Sequence, residues 1–133
     1  MSPALVLAPT LALTALLVAA ARLARERPPA GRVVDVSMID GTSYGMRFDP
    51  VRVTVRRGDT LRFTQAGGMP HNVEFRSMPA GTELGAQEVG PFLKSRGETY
   101  DVVIDARFAA GKHVYVCTPH EVLGMAGIVN VAE

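Results

Sequence analysis

No disulfide can close within this chain, because Cys117 is the only cysteine among its 133 residues. A dinuclear metal site bridged by two thiolates is excluded for the same reason. Neither sign of charge dominates: 14 Lys and Arg face 13 Asp and Glu, a net charge of +1, which leaves no electrostatic footprint for nucleic acid. There is no internal repeat and no low-complexity tract, and the length fits one domain. Past residue 32 no stretch shows the 3.6-residue period of a long amphipathic helix.

One absence is concentrated at the N-terminus, where no residue from Ala4 to Ala21 is charged. As a helix this run would span roughly 27 Å, just short of a bilayer core of about 30 Å. Pro9 would kink it early. Two readings compete. One is a cleaved secretory signal, with small residues at Ala19 and Ala21; the other, favoured, is an uncleaved anchor that makes residues 4–21 a membrane contact. The charges sit awkwardly for both, because no Lys or Arg precedes the run while Arg22, Arg25 and Arg27 follow it. The positive-inside rule would hold that arginine side in the cytoplasm, whereas the chemistry below argues for an extracytoplasmic domain. Residues 1–21 are thus read as signal or anchor, 22–32 as a charged, proline-rich linker, and 33–133 as the folded domain.

Within that domain the apolar period is two. Val34, Val36 and Met38 alternate with Asp35 and Ser37; Val51, Val53 and Val55 alternate with Arg52 and Thr54. Gly58-Asp59 marks a turn, after which Leu61 and Phe63 point inward again. His71, Val73 and Phe75 share a face, and "YDVVI", "HVYVC" and "AGIVNV" supply later strands. Residues 77–97 lack a period and read as loop with at most one short helix or strand. Six to eight short strands in about 100 residues predict an all-β, antiparallel β-sandwich.

The segment "YVCTPHEVLGM" then stands out. His113, Tyr115 and Cys117 face inward on one strand, Pro119 sets a turn that returns His120 toward the strand end, and Gly124 lets Met125 approach from another side. His71, 46 residues before Cys117, heads another strand. Zinc in closed sites has little use for a thioether, whereas two imidazoles, a thiolate and a weak axial Met form the ligand set of blue-copper electron-transfer sites.

"GDTLRFTQAGGMPHNVEF" and "GKHVYVCTPHEVLGMAGIVNV" resemble the cupredoxins, nearest the plastocyanin and pseudoazurin branch, and the likeness covers roughly residues 33–131. It implies a Greek-key, cupredoxin-like sandwich holding one type 1 copper ion on His71, Cys117, His120 and Met125. It also implies that Asn72 ties its strand to the cysteine loop and donates a backbone N–H to the thiolate, with Pro70 and Pro119 in supporting places. The edge of His120 would be the electron port, with Met69, Val122 and Leu123 as docking patch. The implied function is a one-electron carrier, not an enzyme. It is expected to act as an extracytoplasmic monomer that meets redox partners such as a cytochrome or a copper oxidase or reductase, and no nucleic acid. Related multicopper oxidases and copper nitrite reductases flank the cysteine with histidines; here Val116 and Thr118 stand there. The alternative is a copper-delivery protein without an electron-shuttle role.

Simpler roles are open to the same residues. Cys117 alone would read as a buried thiol, Met125 as packing, and His113 as a core histidine. Met38, Met46 and Met78 read as packing or surface residues. A Cys117–His120 nucleophile lacks an evident orienting carboxylate other than Glu121. Arg47, Arg76, Lys94 and Arg96 are candidates for a basic rim that steers an acidic partner.

Overall fold

The computed structural model describes residues 30–41 and 45–133. The expected signal or anchor, and most of the linker, lie outside the described residues. Among the described residues no helix is long and apolar enough to cross a membrane.

The described residues form eight strands: β1 (Val33–Ile39), β2 (Arg47–Asp49), β3 (Arg52–Val55), β4 (Thr60–Gln65), β5 (Glu74–Ser77), β6 (Thr99–Val103), β7 (Gly111–Val116) and β8 (Ala126–Val131). They make two four-stranded sheets, ordered β2-β1-β4-β6 and β3-β8-β7-β5. The period-two pattern places Val36, Met38, Leu61, Phe63, Val53 and Val55 in the space between them. The aperiodic stretch is loop with one short 3₁₀ turn, Gly85–Glu88.

Two expectations need correction. The sandwich is not wholly antiparallel, since β1 pairs with β4 and β3 with β8 in parallel. Alternation of apolar residues says which face of a strand is buried but not which way its neighbour runs. Here the chain leaves β1 through β2, crosses to the other sheet as β3, and returns beside β1 in the same direction. Val51, expected inward, is exposed and precedes β3, because residues 50 and 51 carry the chain between the sheets.

The core is knit by aromatic rings. Tyr115 of β7 meets Phe48 at 4.9 Å and Phe63 at 5.1 Å, both edge-to-face and both reaching across from the other sheet. Its β8 partner in register is Gly127, where a Cβ would overlap the Tyr115 ring. The glycine therefore makes room for the largest side chain in the core.

His113 is a core residue, as expected, and the tertiary structure supplies its partners. Its Nδ1–H donates to the Gly111 carbonyl at 3.2 Å, and its Nε2 accepts from the Thr82 hydroxyl at 3.1 Å. That hydroxyl in turn accepts the Ala109 N–H. The neutral ring is thus fully satisfied, and burial holds its pKa below the ordinary histidine value. In the unfolded chain the ring binds a proton near pH 6.5. The unfolded state therefore takes up more protons as pH falls, and stability present above that value is lost below it. The melting temperature of His113→Gln should fall less between pH 7 and pH 5 than that of the unsubstituted protein. Equal losses in thermal scans would remove His113 from the acid sensitivity.

Candidate metal centre

The candidate ligands gather at one end of the sandwich. His71 precedes β5 and is held by a two-way backbone bridge to Leu93, at 3.1 and 2.8 Å. Cys117 ends β7. From there Thr118–Leu123 form a 3₁₀ turn with Pro119 in its first positions, and the His120 N–H donates to the Cys117 carbonyl at 3.0 Å. Gly124, at φ 83°, takes the left-handed conformation that ends the turn. The loop closes where the Cys117 N–H donates to the Met125 carbonyl at 3.1 Å and the Met125 N–H to the His120 carbonyl at 3.2 Å.

These backbone constraints aim three side chains at one point. Cys117 Sγ lies 3.3 Å from His120 Nδ1 and 3.6 Å from His71 Nδ1, and the two nitrogens are 3.1 Å apart. All three ligand atoms lie within 4.8 Å of one another. His71 and Cys117 are wholly buried, and His120 retains 8% exposure. Met125, whose backbone closes the loop just described, is fully buried. Lone pairs converging in this way repel one another unless a cation or shared protons lie between them. One thiol, two imidazoles and a buried thioether form a donor set that fits copper.

The electrostatics agree with a closed site. Burial pushes the Cys117 thiol up, and the backbone N–H groups of Asn72 and His120 offset this only in part. Burial, then the neighbouring His71, pushes His120 down. Metal entry would have to displace the thiol proton.

Asn72 clasps two elements together. Its Nδ2 donates to Thr118 Oγ1 at 2.9 Å, and its Oδ1 accepts the Thr118 N–H at 2.8 Å. The Thr118 hydroxyl continues to Glu74 at 2.8 Å. This explains why Asn72 is buried although it alternates with the inward His71 and Val73.

Around the site, Met69, Val122 and Leu123 are exposed, with Val122 at 91%, and Pro70 and Pro119 are also exposed. Phe92, beside Leu93, adds an exposed ring that sequence reasoning did not single out. The basic rim shrinks. Arg76 is paired with Glu74 and Glu121, and Arg47 is half-buried near Asp49, which leaves Lys94 and Arg96 exposed.

Two site residues were missed. Gln65 is fully buried, donates to the Met69 and Leu93 carbonyls, and accepts the Gly67 N–H, so it shapes the loop before His71. Asp40, at the end of β1, accepts a hydrogen bond from His71 Nε2 at 2.9 Å. The Gly68 N–H is the chief cause that holds its carboxyl below the usual carboxylate range, against burial. An orienting carboxylate therefore does exist, but on His71 and not His120. A buried thiol with a raised pKa is still no nucleophile. Asp40-Gly41 reads locally as a strand end, and only the Gly67-Gly68 pair hints at a close approach.

Residues 35–132 match the family described as copper binding proteins, plastocyanin/azurin family. The chain is 36% identical to the chloroplastic plastocyanin of Tetradesmus obliquus over 67% of its own length, and spans 61% of that relative. It is 32% identical to the plastocyanin of Prochlorothrix hollandica, covering 93% of this chain and 91% of the relative. Among solved structures, oxidised plastocyanin from Dryopteris crassirhizoma matches with a TM-score of 0.58 at 26% identity, covering 74% of this chain and all of that one. Pseudoazurin from Methylobacterium extorquens matches with a TM-score of 0.56 at 28% identity, over 76% of each chain. With the thiol–imidazole cluster at its centre, this two-sheet chain belongs to the plastocyanin/azurin family of copper-binding proteins.

Proposed function

We propose that His71, Cys117, His120 and Met125 hold one copper ion and that the protein is a one-electron carrier, not an enzyme. The observation that carries this reading is the convergence of one buried sulfur and two imidazole Nδ1 atoms within 4.8 Å. When bound there, copper supplies a centre that gains or loses one electron. The chain's own part is to keep the donors still. Asn72 and the Cys117–Met125 backbone pairing lock the loop, so little needs to move when the charge changes. A buried, clasped site favours retention of the ion over delivery.

His120, with its small exposed edge, is the route by which the electron enters and leaves. Met69, Val122 and Leu123, joined by Phe92, make a small apolar surface suited to brief docking with redox proteins such as a cytochrome or a copper oxidase or reductase. Lys94 and Arg96 are the cations left to steer them. The domain works outside the cytoplasm, a reading supported by its unpaired cysteine, the apolar run at residues 4–21, and relatives named as chloroplastic.

Cu(II) titrated into the protein should raise an intense visible band that ascorbate bleaches and a mild oxidant restores. A pale solution with weak absorption alone would overturn the carrier reading.

A further inference from the structure

Asp40 is bound into the metal centre from two directions, although it is not among the proposed ligands. Its Oδ1 accepts from His71 Nε2 at 2.9 Å. Its Oδ2 accepts the Gly68 N–H at 2.6 Å and the Met69 N–H at 3.2 Å. At Gly67 a Cβ would overlap the same carboxylate, so the glycine leaves it a seat. The contact joins the end of β1 to a ring 31 residues away that is itself wholly buried.

A neutral imidazole carries one proton on either of two nitrogens, and the partner at one nitrogen decides the state of the other. A carboxylate can only accept. Its contact with Nε2 therefore selects the Nε2–H tautomer and leaves the Nδ1 lone pair toward Cys117 and His120. We propose that Asp40 is a positioning residue, which sets the tautomer and orientation of His71 and couples that ring to the loop at residues 67–69. This rests on the reading of His71 as a copper ligand. The carboxylate also makes the ring a better donor toward a cation and, as a nearby negative charge, favours the more positive oxidation state.

The test separates positioning from loop pinning. In metal-free protein at mildly alkaline pH, long-range ¹H–¹⁵N spectra should show His71 as the Nε2–H tautomer. Asp40→Ala should give a mixture of tautomers. In Asp40→Asn the single amide oxygen is claimed by the Gly68 and Met69 N–H groups, so its NH₂ faces His71 and the ring should shift toward Nδ1–H. The Asn variant preserves side-chain volume and keeps the test open if the alanine variant fails to fold. Cu(II) affinity, measured against a competing chelator, should fall about 10- to 100-fold in both variants, and the reduction potential should rise. His71 remaining Nε2–H in both variants, with unchanged Cu(II) affinity, would reduce Asp40 to a loop pin and overturn the proposal. A His71 tautomer that follows Asp40 in a protein showing no thiolate–copper band would instead sink the carrier reading and leave the positioning role standing.

Discussion

Cys117→Ser protein loaded with Cu(II) is expected to lose the intense visible band completely. The band requires an ionised sulfur bound to the metal. A serine hydroxyl is far too weak an acid to ionise in its place and is a hard donor where a soft one stood. The substitution should leave the fold nearly intact. The side chain at this position is wholly buried, but His120 Nδ1 and His71 Nδ1 lie 3.3 and 3.6 Å from the sulfur and can accept from a hydroxyl. The backbone pairing of residue 117 with Met125 does not involve the side chain. Metal-free wild-type and Cys117→Ser proteins should therefore unfold within about 1 kcal/mol of each other in urea, the scale of one hydrogen bond. An intense band surviving the substitution would show that the sulfur is not a ligand, and the site would have to be redrawn around other donors.

The largest loss of stability is expected from Phe63→Ala. Phe63 is wholly buried in β4, lies edge-to-face with Tyr115 across the sandwich at 5.1 Å, and contacts Phe48 at 6.0 Å within its own sheet. Removing the ring opens a cavity between the sheets that the surrounding aromatics cannot collapse to fill, at a cost of about 3–5 kcal/mol. A domain of this size is stable by roughly 5–15 kcal/mol, so the variant should stand near the edge of folding. Urea unfolding should show a lower midpoint with an unchanged slope. A loss under about 1 kcal/mol would mean that the two sheets are held by the remaining contacts and that Phe63 is not a keystone between them. Tyr115 is only two residues from Cys117, so the variant should also loosen the strand that presents the sulfur.

The metal centre was partly legible because its chemistry is local in the chain. Cys117, His120 and Met125 fall within nine consecutive residues, with Pro119 and Gly124 at the places where the turn needs a fixed φ and a positive one. Period-two alternation likewise marked Val36, Met38, Leu61 and Phe63 as inward from type and order alone. What escaped was long-range. Arg76 read as a free cation until the fold placed Glu121, 45 residues later, against it. The direction of β4 beside β1 depends on how the intervening chain crosses between the sheets, which no alternation records.

The amino-acid sequence by itself therefore determined which residue types could hold a soft, redox-active metal ion and which faces of the strands would be buried. Both follow from side-chain chemistry repeated over a few neighbouring positions. Only the tertiary structure decided the distances at which His71 and Asn72 meet the cysteine loop, and that Asp40 reaches the far nitrogen of the His71 ring. Those contacts join groups that are distant in the chain, and strand pairing and core packing set their geometry.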